Sequence, residues 1–167
     1  MISKLIQNVS VKAVRYAAVA TWAVGSFMTV AAGSAAADPT LHVVEAAGVR
    51  FKPMFIYVEP GDQVSFERMP THNVETLDGM HPQEQEKLKT ELGENFVTTF
   101  EHEGIVVYKC TPHWGNRMGG IIVVGQPENP GAILDAYMAL TEEKKEHLPA
   151  RGLIKKLRKD MEQKGMM

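Results

Sequence analysis

Short apolar segments separated by turn residues fill residues 41–124, and this pattern constrains the fold more than any other feature of the chain. Gln63–Glu67 alternates polar and apolar residues, which is typical of a half-buried strand. Ile121–Val124 is a continuous apolar run that ends at a glycine and predicts a buried strand. Further segments with strand character are residues 41–44, 55–58, 95–100 and 105–109. Five or six short strands at this spacing predict an all-β sandwich.

The apolar period changes after Asn129, where two helices are predicted. Asn129 is expected to act as the N-cap and Pro130 to be the first helical residue. A second amphipathic stripe begins at Leu153, after Pro149 interrupts a polar run. We expect both helices to pack against a face or edge of the sheet. A weaker helical pattern covers the polar residues 82–92.

Residues 1–37 have the three parts of a secretory signal peptide. The segment begins with three cations and no acidic residue (Lys4, Lys12 and Arg15), and an Ala-rich apolar stretch follows. Small residues precede Asp38, which predicts cleavage after Ala37. The alternative is a membrane anchor, for which this apolar stretch is marginal. The predicted organisation is a signal peptide (1–37), a sandwich (38–125) and a helical extension packed on the sandwich (126–167).

Charge and cysteine content exclude several classes of function. The chain has a net charge of −2, and removal of the three signal-peptide cations leaves −5, which argues against a nucleic-acid-binding protein. The single cysteine, Cys110, excludes an intramolecular disulfide and a redox site made of two cysteines. Because a free thiol outside the cytoplasm is easily oxidised, we expect burial or a metal to protect Cys110.

Two loops carry metal-ligating side chains. Cys110, His113 and Met118 lie close together in sequence between the last two predicted strands, and His72 follows the strand at 63–67. Thiolate and thioether are soft ligands and imidazole is intermediate, a mixture that suits copper cycling between Cu(I) and Cu(II). Zinc gains little from a thioether. Each residue alone has an ordinary structural explanation, but the combination predicts a copper site.

Longer motifs agree with this interpretation. They are Phe51-Lys52-Pro53, Pro60-Gly61-Asp62, residues 72–76, Gly79-Met80, Glu94-Asn95, residues 110–113 and Gly119. With them, the chain resembles the type 1 copper proteins of the cupredoxin family, and most closely the pseudoazurin group. The resemblance covers nearly all of residues 38–167. It implies an all-β, eight-stranded Greek-key β-sandwich with two C-terminal α-helices, which is more strands than the pattern alone predicts.

The resemblance also implies roles for individual residues. His72, Cys110 and His113 would bind one copper ion in a plane, with Met118 as a weak axial ligand. Asn73 would tie the two ligand loops together. His113 would be the exit for electrons, within an exposed apolar patch. The candidate residues for that patch are Pro53, Met54, Pro112 and Trp114.

The implied function is periplasmic electron transfer, without enzymatic activity, in which single electrons pass by outer-sphere transfer. The implied partners dock transiently and are periplasmic redox proteins: a copper nitrite reductase-like enzyme, another oxidoreductase or a c-type cytochrome. We expect a monomer that binds neither nucleic acid nor, after signal cleavage, a membrane. Pseudoazurins are described as docking through a ring of lysines, but residues 38–125 hold seven cations against thirteen acidic residues. Electrostatic steering toward an acidic partner should therefore be weaker.

Three other functions share features with this sequence. A copper carrier would also be secreted and bind copper, but the methionines after residue 37 are scattered rather than clustered. A copper oxidase or nitrite reductase would need further metal sites, and the six histidines include no His-x-His pair. The complete ligand set argues against a structural sandwich that has lost its metal. The carrier remains the alternative prediction.

Overall fold

The computed structural model describes residues 38–167, and the predicted signal peptide (1–37) lies outside the described residues. The described residues contain eight strands: β1 (Leu41–Ala46), β2 (Phe51–Lys52), β3 (Phe55–Val58), β4 (Gln63–Glu67), β5 (Glu75–Thr76), β6 (Phe96–Thr99), β7 (Gly104–Lys109) and β8 (Gly119–Val124). Two helices follow, α1 (Pro130–Glu143) and α2 (Arg151–Gln163). Within this described part, neither helix is long and apolar enough to cross a bilayer.

The strands form two four-stranded sheets. One sheet has the order β2-β1-β4-β6 and the other has the order β3-β8-β7-β5. The pairs β1–β4 and β3–β8 are parallel, whereas the other paired strands are antiparallel. This is the predicted eight-stranded β-sandwich. The pattern of apolar residues missed β2 and β5, each of which has only two residues.

β8 is apolar throughout because it is buried on both faces. Ile122 and Val124 belong to the core between the two sheets. Ile121 and Val123 belong to a second core between the β8–β7 sheet and the helices. Because successive strand residues point to opposite faces, a strand between two cores needs apolar residues at every position.

Aromatic rings fill the centre of the core between the sheets. Phe51, Phe66 and Tyr108 meet edge to face, with ring centroids 5.1–6.3 Å apart. Edge-to-face pairs contribute about 0.5–1.5 kcal/mol beyond the burial of their area. This cluster joins β2, β4 and β7 and stabilises the sandwich.

The two helices cover the outer face of the β8–β7 sheet. α1 contributes Leu134 and Tyr137 to the second core, and the Tyr137 hydroxyl donates to the carbonyl oxygen of Ile105 at 2.8 Å. A short 3₁₀ segment, Lys145–Ala150, leads directly into α2. The buried stripe of α2 consists of Leu153, Ile154, Leu157 and Met161. Each fully buried aliphatic side chain contributes about 1.5–3 kcal/mol.

The start of α1 differs from the prediction in one respect. Asn129 does occupy the N-cap position, but its side chain makes no capping hydrogen bond. Its backbone is left-handed, with φ of 53°, whereas a side-chain cap needs an extended backbone. Its carbonyl oxygen instead accepts the backbone N–H groups of Ala132 and Ile133.

Residues 82–92 do not form the weak helix that their pattern suggested. Backbone hydrogen bonds to β5 hold this segment instead. Thr76 N–H donates to the carbonyl oxygen of Leu88, and Thr90 N–H donates to that of Val74. The Thr76 hydroxyl accepts from Leu88 N–H in return. These extended pairings satisfy backbone groups that a helix would have used internally.

The pairing of β5 with β7 brings the two predicted ligand loops to one end of the sandwich. Glu75 lies opposite Lys109, and Lys109 lies opposite Gly119 on β8. Residues just before Glu75 therefore lie beside residues just after Lys109. The loop that holds His72 and the loop that holds Cys110 meet for this reason.

Candidate metal centre

Three of the four predicted ligands converge at this end of the sandwich. Cys110 Sγ lies 3.6 Å from His72 Nδ1 and 3.4 Å from His113 Nδ1. One ligand atom from each residue lies within 4.8 Å of the other two. Cys110 is fully buried, His72 is buried and His113 is half-buried.

The spacing of these atoms fits a metal ion in a trigonal plane. With bonds of about 2.0 Å to nitrogen and about 2.3 Å to sulfur, two ligands at a trigonal angle are separated by about 3.7 Å. The two sulfur-to-nitrogen distances are close to this value. One thiolate with two imidazoles is a donor set suited to copper.

The segment 110–118 is a tight backbone loop that returns on itself. Cys110 N–H donates to the carbonyl oxygen of Met118 at 2.9 Å, and Met118 N–H donates to that of His113 at 3.2 Å. His113 N–H in turn donates to the carbonyl oxygen of Cys110. Met118, the predicted axial ligand, is fully buried and belongs to the same core as Cys110. These bonds fix the backbones of three predicted ligands relative to one another.

Asn73 joins the two loops through its side chain. Its Oδ1 accepts from Thr111 N–H at 2.7 Å, and its Nδ2 donates to Thr111 Oγ1 at 3.2 Å. The Thr111 hydroxyl continues the network by donating to Glu75, which also pairs with Lys109 at 3.2 Å. The resemblance implied this role for Asn73. It did not indicate roles for Thr111 and Glu75, although both lie within the motif segments 110–113 and 72–76.

The surroundings of His72 favour its neutral form, which is the form in which an imidazole binds a metal. Desolvation by burial, with the nearby His113 as a lesser cause, lowers the pKa of His72 below its ordinary value. Its backbone N–H donates to the carbonyl oxygen of Met69, and its own carbonyl oxygen accepts from Gly93 N–H. Burial and these bonds hold the ring beside the Cys110 sulfur.

The predicted exposed patch requires one correction. Pro53 and Pro112 are exposed and Met54 is half-buried, but Trp114 is only 9% exposed. Its indole N–H donates to the carbonyl oxygen of Glu146 at 2.6 Å, so the ring packs under the C-terminal extension. Trp114 is therefore not part of the patch. The helical layer buries its large ring and supplies the hydrogen-bond acceptor for its N–H.

A Greek-key sandwich with a cysteine and two histidines at one end defines a cupredoxin, a small copper-binding β protein. The chain belongs to the plastocyanin/azurin family of copper binding proteins, whose family model matches residues 39–125. Copper is accordingly its cofactor.

Individual relatives are pseudoazurins. The chain is 35% identical to pseudoazurin of Paracoccus pantotrophus over 123 residues, which are 70% of this chain and 83% of that protein. It is 40% identical to pseudoazurin of Methylorubrum extorquens over 78 residues, which are 45% and 51% of the two chains. The chain thus spans most of the first relative and about half of the second.

Solved structures give the same result. The crystal structure of pseudoazurin from Methylobacterium extorquens superposes with a TM-score of 0.52 and 31% identity, over 56% of this chain and 81% of the other. Pseudoazurin from Hyphomicrobium denitrificans superposes with a TM-score of 0.50 and 32% identity, over 57% and 81% of the two chains. The chain is thus a pseudoazurin-like cupredoxin.

Proposed function

We propose that this chain is a periplasmic blue copper electron-transfer protein, with His72, Cys110 and His113 as equatorial ligands and Met118 as the weak axial ligand. The observation that carries the proposal is the position of Cys110 Sγ, 3.4 and 3.6 Å from the Nδ1 atoms of two histidines. Bound copper would supply a one-electron couple between Cu(I) and Cu(II). The protein acts as an electron carrier rather than as an enzyme.

Rigidity is the main contribution of the protein to such a role. The backbone hydrogen bonds within 110–118 and the two hydrogen bonds between Asn73 and Thr111 hold the ligand loops in one arrangement. Ligands held in this way do not need to rearrange when the charge of the site changes. Burial of His72 and Cys110 also excludes water from the sulfur. Both features favour fast electron transfer with little reorganisation.

His113 is the proposed exit for electrons. It is more exposed than His72 and Cys110, and the exposed Pro112 precedes it. An electron leaving through its ring edge would cross to a partner by outer-sphere transfer, without any bond to a substrate being made or broken. Pro53, Pro112 and Met54 remain the candidates for the surrounding docking patch.

The proposed partners are periplasmic redox proteins that dock transiently to the monomer. A copper nitrite reductase-like enzyme, another oxidoreductase and a c-type cytochrome are the candidates that the resemblance implies. A surface with an apolar centre and a charged rim suits a small, transient interface. The periplasmic location is supported by the signal-like composition of residues 1–37. The alternative of a copper carrier is not favoured, since the relatives are pseudoazurins.

The visible absorption and EPR spectra of the Cu(II)-loaded protein test this proposal. We expect an intense blue or green thiolate-to-copper charge-transfer band and narrow copper hyperfine splitting. A pale solution with an ordinary tetragonal copper spectrum would contradict the proposed function and favour a carrier or a site without redox activity.

A further inference from the structure

Trp114 connects the copper-binding loop to the C-terminal extension. It directly follows the proposed ligand His113, and its indole N–H donates to the carbonyl oxygen of Glu146 at 2.6 Å. Glu146 lies in the 3₁₀ segment Lys145–Ala150, between α1 and α2. The bond therefore joins the ligand loop to a part of the chain that contributes no proposed ligand.

Packing reinforces this connection. A Cβ atom at Gly119 would lie 2.9 Å from Trp114 Cζ3 and 3.0 Å from Leu153 Cδ1. The Trp114 ring from the loop and the Leu153 side chain from α2 thus approach the same point above the bare backbone of Gly119. Trp114 and Leu153 belong to the second core, which the helices share with β7 and β8. The ring is fixed by contact as well as by its hydrogen bond.

The backbone of Trp114 is equally constrained. Its carbonyl oxygen accepts from Arg117 N–H at 2.8 Å, and its N–H donates to the carbonyl oxygen of Thr111 at 3.3 Å. Arg117 has a left-handed backbone, with φ of 62°, which an ordinary residue adopts only where its surroundings enforce it. Trp114 lies at the centre of the turn that carries His113, so a displacement of its ring would displace that turn.

We propose that Trp114 is a positioning residue that fastens the His113 turn to the C-terminal extension, which thereby helps to set copper affinity and reduction potential. This inference rests on the proposed function. The extension is then part of the copper site's supporting structure, in addition to covering the sheet. Groups that orient metal ligands typically change metal affinity by about 10- to 100-fold when they are removed.

The direction of the effect on potential follows from the coordination preference of copper. Cu(II) favours tetragonal coordination, which the trigonal arrangement of the proposed ligands does not provide. A looser His113 turn would let the oxidised site relax further toward its preferred geometry. Relaxation stabilises Cu(II) relative to Cu(I), so the reduction potential should fall.

The test compares Trp114→Phe with Tyr137→Phe. The first variant keeps an aromatic ring but removes the N–H that donates to Glu146. The second variant removes the hydroxyl of Tyr137, a residue of α1 in the same core. That hydroxyl likewise donates to a main-chain carbonyl oxygen, that of Ile105. Both variants lose a similar bond between the helical layer and the rest of the chain. Only Trp114→Phe releases the ligand loop.

We expect Trp114→Phe to lower copper affinity by about tenfold, to lower the reduction potential and to broaden the copper hyperfine splitting. In the copper-free protein, amide hydrogen exchange in residues 111–118 should become faster. Tyr137→Phe should change none of these properties. If Trp114→Phe does not fold, Leu153→Ala should produce the same shifts to a smaller extent, because it removes the α2 side chain that shares the second core with the ring and approaches the same point above Gly119.

Two results would overturn the inference. One is a Trp114→Phe protein with wild-type affinity, potential and loop exchange. The other is equal shifts in Trp114→Phe and Tyr137→Phe, which would mean that general loosening of the helical layer is the cause. Failure of the proposed function is distinguishable, since the wild-type protein itself would then lack the type 1 copper spectrum.

Discussion

The side chain of Asn73 and the residue Thr111 form two hydrogen bonds across the ligand loops. Asn73 Oδ1 accepts from Thr111 N–H at 2.7 Å, and Asn73 Nδ2 donates to Thr111 Oγ1 at 3.2 Å. A single amide thereby satisfies the backbone and the side chain of the residue that follows Cys110. The pair fixes the distance between the loop that carries His72 and the loop that carries Cys110.

Replacement of Asn73 should therefore weaken the site more than it weakens the fold. We expect Asn73→Ala to lower copper affinity by about tenfold, because the ligand loops are no longer aligned. The free energy of unfolding should fall by only about 1 kcal/mol, since these bonds are exposed. Copper titration and urea denaturation measure the two effects. Asn73→Asp, which keeps the acceptor for Thr111 N–H, should be intermediate, and wild-type affinity in Asn73→Ala would contradict the proposed alignment.

Replacement of Cys110 should remove the colour and leave the sandwich folded. Cys110 is fully buried, so Cys110→Ala deletes the thiolate and leaves only a small cavity. We expect loss of the intense visible band, with the far-ultraviolet circular dichroism unchanged and a stability loss of about 1–2 kcal/mol. Cys110→Ser is the matched control for volume, and it should also lack the band because a hydroxyl does not replace a thiolate. An intense band in either variant would mean that the sulfur of Cys110 is not a ligand.

Much of the fold could be predicted from the sequence where apolar runs were long enough to show a period. β3 and β4 have the predicted bounds, and β8 extends two residues before the predicted run. β2 and β5 could not be found in this way, because two residues carry no periodicity and their pairing depends on distant strands. Residues 82–92 form backbone hydrogen bonds with β5 and the residue before it, instead of the weakly predicted helix. Tertiary hydrogen bonds outweighed local propensity there.

The candidate site was likewise predictable only in part. The types and order of the proposed ligands are visible in the sequence, although His72 and Cys110 are 38 positions apart. The burial of Trp114 was not predictable, since its hydrogen-bond acceptor lies 32 positions away in a segment without a recognisable motif. An aromatic residue beside a surface histidine suggests an exposed patch. Only the position of the C-terminal extension reverses that interpretation.

Gly120 should tolerate no side chain, because β8 passes directly over a buried ring. A Cβ atom at this position would lie 2.3 Å from Tyr108 Oη and 3.0 Å from the carbonyl oxygen of Met54. We expect Gly120→Ala to lower the free energy of unfolding by about 1–3 kcal/mol through overpacking. Gly152→Ala is the matched control, since no atom lies within 4 Å of its added Cβ and alanine favours the helix. Equal melting temperatures for the two variants would show that the Tyr108 ring can move aside.

Asp62 should make the stability of the sandwich dependent on pH. The carboxylate, whose side chain is 10% exposed, accepts from the backbone N–H groups of Thr40 and Glu59 and lies 2.8 Å from His42 Nε2. The bond from Thr40 is the largest cause that lowers the pKa of Asp62, followed among the lowering causes by the bond from Glu59 and the contact with His42. Burial opposes them but does not reverse the shift. The folded state therefore favours the ionised carboxylate.

Because the folded pKa of Asp62 is lower than the unfolded value of about 3.9, its stabilisation is complete above that value and is lost as pH falls through the folded pKa. We expect Asp62→Asn to lower the free energy of unfolding near neutral pH by about 1–3 kcal/mol, because an amide accepts poorly from two N–H groups. Its stability should then decline less steeply than that of the wild type below about pH 4. Urea denaturation of the copper-free protein across this range measures both effects, with the exposed Glu94→Gln as the control. Parallel curves for wild type and Asp62→Asn would mean that Asp62 is not the group responsible.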